Sequence, residues 1–127
     1  MSDRGSIAPL VAGYLALILL TLIGSAAVGV TMIATNRVQQ VVDAAVLYAH
    51  DRSVTRGVPS QSQLNIALDR FLDRAESARR LEIVNHRIIA VGTISNLELC
   101  ARVRNPLLES HQILVCRSAR AESFVIR

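Results

Sequence analysis

Two cysteines are the side chains of this sequence with the clearest potential for chemistry. Cys100 and Cys116 are the only cysteines among 127 residues, and they do not form the C-x-x-C motif of a thiol–disulfide redox site. Each lies in a segment that we predict to be a β-strand, and neighbouring strands bring paired residues within about 5.5 Å of each other. We expect a disulfide if the strand register agrees, with two unpaired thiols as the alternative. A bridge closing about 15 residues would contribute on the order of 3 kcal/mol, which suits a small exported domain.

The other side chains of catalytic or metal-binding type form no recognisable group. His50, His86 and His111 are scattered along the chain, and none has the spacing of a zinc ligand pair. The sequence contains no G-x-S-x-G, H-E-x-x-H, P-loop or G-x-G-x-x-G motif. It also contains no lysine, since all 14 basic residues are arginine, and its two tyrosines and two phenylalanines are too few for base stacking. We therefore expect a protein that is not an enzyme and has no cofactor, metal, small-molecule substrate or nucleic-acid partner.

The first element that must position these residues is an apolar segment near the N-terminus. No Asp, Glu, Lys or Arg occurs between Arg4 and Arg37, and about 20 apolar residues suffice to cross some 30 Å of hydrocarbon. We predict one transmembrane helix over residues 7–34 in a single-pass membrane protein. Its length of about 42 Å requires that it tilt or protrude from the bilayer. A cleavable secretory signal is the alternative, with small residues at positions 25–27 as the cleavage site.

Small residues recur every four positions along this segment. That spacing lets helix backbones approach each other closely within a membrane, and lipid-facing filler is the equally weighted alternative. The candidate helix-packing residues are Ala8, Ala12, Ala16, Ser25 and Gly29.

Helical periodicity continues beyond the membrane segment. Apolar residues at 38, 41, 42, 45 and 49 form one stripe, so we predict that residues 35–50 extend the same helix as an amphipathic segment ending near His50. Gly57 and Pro59 then break the helix within a loop at 51–60.

Residues 61–127 are predicted to form a small extracytoplasmic α+β domain. Ser60 and Gln63 fit a capping box at the start of a second helix, whose apolar stripe runs from Leu64 to Ala78. From Leu81 the pattern changes to a period of two, with apolar residues at 97, 99, 101 and 103 alternating with polar ones. We expect a three- or four-stranded antiparallel β-meander with the second helix packed on one face, and an α+β fold overall.

Four features in this order resemble a known family. They are "DRGS" at 3–6, the long apolar helix directly after it, "NRVQQVVDAAVLYAH" at 36–50, and a small β-rich end containing "SARAESFV". The chain resembles the TadE/TadG-like proteins of the tight-adherence (Tad, or Flp) pilus system. It looks closest to the short TadE-like proteins encoded near secretion ATPases in high-GC Gram-positive bacteria. The resemblance covers about the first fifty residues, and its juxtamembrane motif consists of Arg37, Gln39, Asp43, Ala44, Ala45, Leu47 and Ala49.

The resemblance implies a pilin-like minor subunit or assembly component, acting through helix and domain contacts. Residues 1–6 would be a cytoplasmic tail and the C-terminal domain would lie outside the cell membrane, an orientation that the short tail and the cysteines also favour. The implied partners are membrane lipid and other Tad-type pilus or secretion membrane proteins or pilin-like subunits. Within the motif, Asp43 is expected to pair with Arg37 or with a partner protein, or simply to be solvated.

The resemblance also implies cleavage by a prepilin peptidase between Gly5 and Ser6. The family's precursors usually carry a glutamate five residues after the cut, where this chain has Leu10, so an uncleaved chain stays open. Two further alternatives also remain open. One is a generic single-pass envelope anchor or partner subunit of another membrane complex, and the other is an exported soluble domain released by signal cleavage.

Overall fold

A computed structural model of the chain describes residues 7–105 and 108–124. It has an α+β fold in which one long N-terminal helix precedes a small antiparallel sheet. The elements in chain order are α1 (Ile7–Ser53), β1 (Val54–Thr55), β2 (Val58–Pro59), α2 (Gln61–Arg74), α3 (Glu76–Arg79), β3 (Glu82–Val91), β4 (Ile94–Asn105) and β5 (Leu108–Glu122).

Helix α1 runs for 47 residues without a break. Its one proline, Pro9, lies in the first turn, where no intrahelical N–H is needed. The predicted continuation of the apolar helix into an amphipathic segment is present, and the helix ends at Ser53 rather than near His50. It stops because Arg56 and Gly57 both adopt positive φ, 56° and 85°, and form the tight turn of the β1–β2 hairpin.

The hydrophobic core lies between the second half of α1 and one face of the sheet. The predicted stripe on α1 is buried, with Val38, Val42, Ala45 and Ala49 all at 0% exposure. Helix α2 packs beside α1 and against β3, where it adds Leu64 and Leu68 to the same cluster. The second helix packs on one face of the sheet as expected, but it contacts β3, and α1 covers β4 and β5 on the same face.

The sheet is a three-stranded antiparallel meander in the order β3-β4-β5. Of the three or four strands expected, the structure has three, because Glu82–Val91 form the single strand β3, which carries an irregularity between Ile83 and Asn85. The alternation predicted for β4 is present: Leu97, Leu99 and Ala101 are fully buried. Register therefore places the intervening residues, including the cysteines, on the opposite face of the sheet.

The start of α2 differs from the prediction. The capping box is wrong, since the Ser60 side chain makes no cap hydrogen bond and its Oγ instead lies 3.1 Å from that of Ser62. The helix is fixed by Gln61: its Nε2 donates to the Ile88 carbonyl (2.8 Å), and its Oε1 accepts from the Ala90 N–H (2.9 Å). One side chain thus satisfies backbone groups at the outer edge of β3, an edge otherwise open to further pairing.

The predicted single helix through Ala78 is also interrupted. Ala75 adopts extended backbone angles (φ −70°, ψ 119°), which divides the segment into α2 and the one-turn helix α3. The turn places Ala78 in a buried position and brings the chain to the start of β3.

Candidate functional site: helix α1 and its junction with the domain

The first part of α1 is exposed on all sides. Residues 7–26 are exposed except for the half-buried Ile18, although the helix contains an 18-residue window of mean hydropathy 2.3 that is 0% buried. This free segment of about 20 residues measures about 30 Å, the thickness of a bilayer's hydrocarbon core. The helix is therefore long and apolar enough to cross a membrane.

Residues 27–34, by which the predicted transmembrane segment exceeds the thickness of a bilayer, lie beside the domain. From Ala27 to Thr35 most side chains are half-buried, because they border β4 and β5. The predicted 28-residue segment therefore divides into a free part at 7–26 and a flanked part at 27–34. The free part is uncovered on all sides, whereas the flanked part is covered on one side by the domain and leaves Val28, Met32 and Ile33 more than half exposed.

Hydroxyl groups along the apolar part of α1 bond back to the helix backbone, as expected for such residues in lipid. Thr21 Oγ1 donates to the Ile18 carbonyl at 2.8 Å and Ser25 Oγ to the Thr21 carbonyl at 2.7 Å. Since these groups are satisfied within the helix, they do not oppose insertion into a membrane.

The candidate helix-packing residues lie mostly on the free segment. Ala8, Ala12, Ala16 and Ser25 are exposed, whereas Gly29 is half-buried beside the domain. Leu10, which the resemblance aligns with a glutamate, is 73% exposed. Gly5 and Ser6, the expected cleavage position, lie outside the described residues.

The juxtamembrane motif divides between two faces of α1. Ala45 and Ala49 point into the core. The opposite face, which we call the outer motif face, carries four exposed motif residues, and Gln39 is half-buried at its margin. Asp43 on this face accepts a hydrogen bond from Gln39 Nε2 at 2.7 Å rather than pairing with Arg37. The outer motif face consists of Arg37, Asp43, Ala44 and Leu47.

A groove of about 630 Å³ lies at the junction of α1 with the near end of the domain, which is the end closest to the apolar segment. Its apolar wall is formed by residues 30, 33 and 34 of α1 together with Leu81 and Val103. Glu82 lies in the groove and accepts from Arg102 Nη1 at 2.8 Å. Four arginines from three separate parts of the chain line this junction groove: Arg37, Arg80, Arg102 and Arg104.

A buried histidine that the sequence did not single out connects α1 to the far end of the sheet. His50 is only 8% exposed; its Nδ1 lies 2.7 Å from Ser95 Oγ, and its Nε2 lies 2.7 Å from Ser123 Oγ. In either neutral tautomer one hydroxyl accepts from the ring and the other donates to it. Because Ser95 is fully buried, its hydroxyl is not accessible as a nucleophile. These hydrogen bonds instead tie α1 to the start of β4 and to the residue after β5.

Cys100 and Cys116 are direct partners in the β4–β5 ladder and form a disulfide. Their Cα atoms are 4.0 Å apart, on the sheet face turned away from α1. His86 Nε2 lies 3.5 Å from Asp69 Oδ1. In the described part of the chain no three His, Cys, Asp or Glu side chains converge to form a metal site.

The junction groove thus lies at the end of the domain nearest the apolar segment and the His50 array at the opposite end, with the outer motif face on α1 between them. No family model, curated protein or solved structure matches this chain.

Proposed function

We propose that this chain is a TadE-like, pilin-like component of a Tad/Flp-type pilus or secretion apparatus. It would be held in the cell membrane by residues 7–26, with a cytoplasmic N-terminus and an extracytoplasmic domain. It would act through contacts of its helix and domain and catalyse no reaction. The proposal combines the sequence resemblance of residues 3–50 with one structural observation, the continuity of α1.

Continuity of α1 supports this function because it couples two environments rigidly. The same uninterrupted helix is free and apolar over residues 7–26 and packed on the sheet from Val38 onward. A domain attached through a flexible linker would be only tethered to the membrane. A domain built on the helix itself keeps a fixed relation to any other helix that the apolar segment contacts, as a subunit of a helical assembly requires.

The disulfide supports the proposed orientation. Disulfides persist in oxidising compartments outside the cytoplasm, and this one joins two strands of the domain. A domain below a hundred residues buries a modest core, so a covalent cross-link contributes a large share of its stability.

The proposal is tested by deleting the gene and complementing it with two versions of the chain. The wild-type chain should restore surface pili or secretion. In the second version an unrelated apolar helix of the same length replaces residues 7–26, and it should reach the membrane without restoring assembly. Unchanged pili and secretion after deletion would contradict a role in this apparatus. Full rescue by the swapped helix would show that residues 7–26 serve only as a membrane anchor and that the domain alone makes the assembly contacts.

An exported soluble domain remains the second candidate, favoured by the place where packing begins. Contact with the domain starts near Ala27, next to the small residues at 25–27, so removal of everything before position 28 would leave the packed helix intact. Intact-mass measurement separates the possibilities. A chain starting at Met1 or Ser6 retains the anchor, whereas a mature N-terminus near residue 28 in the secreted fraction would establish the released domain.

A further inference from the structure

We propose that the junction groove binds the phosphate headgroup of an anionic phospholipid. The inference rests on the membrane anchoring of the proposed function but not on its role in a pilus. Three independent observations support it: the level of the groove relative to the bilayer, the identity of its charged residues, and the apolar wall that completes it.

The level of the groove relative to the bilayer follows from the length of α1. If residues 7–26 fill the hydrocarbon core, Val30 lies about 6 Å beyond its edge. Each headgroup layer is about 5–8 Å thick. The apolar wall of the groove, which begins at Val30, therefore lies at the level of the phosphates. Long arginine side chains above this level can extend their guanidinium groups toward it.

The charged residues suit a phosphodiester. The lining contains four arginines and one glutamate, Glu82. Glu82 forms an ion pair with Arg102. Arg80 forms an exposed ion pair with Glu76, while in the described part of the chain no carboxylate lies within ion-pair distance of Arg37. Guanidinium groups bind phosphate oxygens in a bidentate manner and are less strongly hydrated than ammonium groups. The groove thus has more positive charge than its own carboxylate neutralises.

The apolar wall distinguishes a lipid from a free anion. Val30, Ile33 and Val103 border the same groove and would contact the glycerol and the first acyl carbons while the arginines contact the phosphate. Inorganic phosphate offers nothing to this wall. A membrane lipid satisfies both halves of the groove, and its binding would fix the height of the domain above the bilayer.

Native mass spectrometry of the full chain in detergent tests the proposal. Wild-type protein should retain palmitoyl-oleoyl phosphatidylglycerol over the matching phosphatidylcholine by about tenfold, because basic residues near a membrane surface attract anionic lipid. The triple variant Arg37→Gln, Arg80→Gln, Arg104→Gln should lose this preference. It leaves the Arg102–Glu82 pair in place and changes only exposed side chains.

A matched control removes the same charge elsewhere. Arg56→Gln, Arg87→Gln, Arg120→Gln alters three exposed arginines away from the groove and should keep the preference for phosphatidylglycerol. Equal lipid retention by all three proteins, or equal loss in both variants, would overturn the site. Displacement of the lipid by a tenfold excess of ammonium phosphate would identify a free-anion site and also overturn it.

Carbonate washing of cell membranes separates failure of the groove from failure of the anchor. Wild-type protein that remains in washed membranes but shows no lipid preference would contradict the groove alone. Recovery of the wild-type chain in the soluble fraction would contradict the anchor in the proposed function.

Discussion

The two halves of α1 form one continuous helix but depend on different surroundings. Over residues 7–26 no side chain is buried, although nearly all are apolar. From Val38 to Ser53 eight side chains are buried, and they lie on one face. The first half is apolar all round, so its partner must come from outside the chain, whereas the second half has a stripe matched by its own sheet. Folding of the domain and placement of the helix in a membrane should therefore be separable by mutation.

The largest expected effect comes from placing a charge on the packed face of α1. Val42 is fully buried and Leu47 is 60% exposed on the same helix. Val42→Asp should lower the free energy of unfolding by at least about 4 kcal/mol, because it buries an unpaired carboxylate in the core. Leu47→Asp should change it by less than about 0.5 kcal/mol. Pulse proteolysis in urea with trypsin, which cleaves at arginine, measures both.

The comparison of the two halves depends on these variants staying in the membrane. Both should remain in carbonate-washed membranes, since residues 7–26 are unchanged. Release of Val42→Asp from the membrane would show that the apolar half depends on the folded domain. Equal destabilisation by the two variants would contradict the division of α1 into a buried and an exposed face.

The next effect in size concerns the disulfide. Cys100→Ser together with Cys116→Ser should lower the free energy of unfolding by about 3 kcal/mol, because the unfolded chain regains the freedom of the closed loop. Reduction of the wild-type protein should produce a similar loss, and the same reductant should leave the double variant unchanged. Two free thiols in exported protein, detected by alkylation and mass spectrometry, would rule the bridge out.

Periodicity explains which parts of the fold could be predicted from the sequence. The stripe on α1 and the alternation in β4 are local patterns, and each is confirmed by burial of the apolar set. The start of α2 could not be predicted, because Ser60 loses its capping role to the contacts of Gln61 with β3, 27 and 29 residues away. Local signals predict elements, whereas pairing between distant elements decides how they begin and end.

The same limit applies to the candidate site. His50 meets hydroxyl groups 45 and 73 residues later in the chain, so no spacing rule could connect them. The arginines of the junction groove come together only because α1, the end of α3 and the end of β4 meet at the near end of the domain. The disulfide was predictable in kind, since both cysteines lie in adjacent strands, but the register that aligns them required the structure.

A smaller effect distinguishes the buried histidine from an exposed one. His50→Ala should lower the free energy of unfolding by about 2 kcal/mol, since it removes two hydrogen bonds and leaves the buried Ser95 hydroxyl without a partner. His86→Ala should cost less than about 0.5 kcal/mol, because its contact with Asp69 is exposed. Chemical denaturation measures both. A coupling energy near zero in a double-mutant cycle of His50→Ala and Ser95→Ala would contradict the tie.

Substitution of Asp43 should have the smallest effect on stability, and its effect on assembly should be the most informative. Asp43 makes one exposed hydrogen bond, to Gln39, so Asp43→Ala should change the free energy of unfolding by only about 0.3 kcal/mol. The buried half of the motif already has a structural role in the core, but packing gives the exposed half none. If the outer motif face contacts a partner in a Tad-type apparatus, Asp43→Ala should reduce surface pili or secretion while the protein stays folded and membrane-bound. Asp51→Ala, an exposed change on the same helix beyond the motif, should not. Normal assembly by both variants would show that Asp43 is a solvated charge and would remove this face from the proposed interface. The reason is that both variants stay folded, so a lost partner contact would appear directly as reduced assembly.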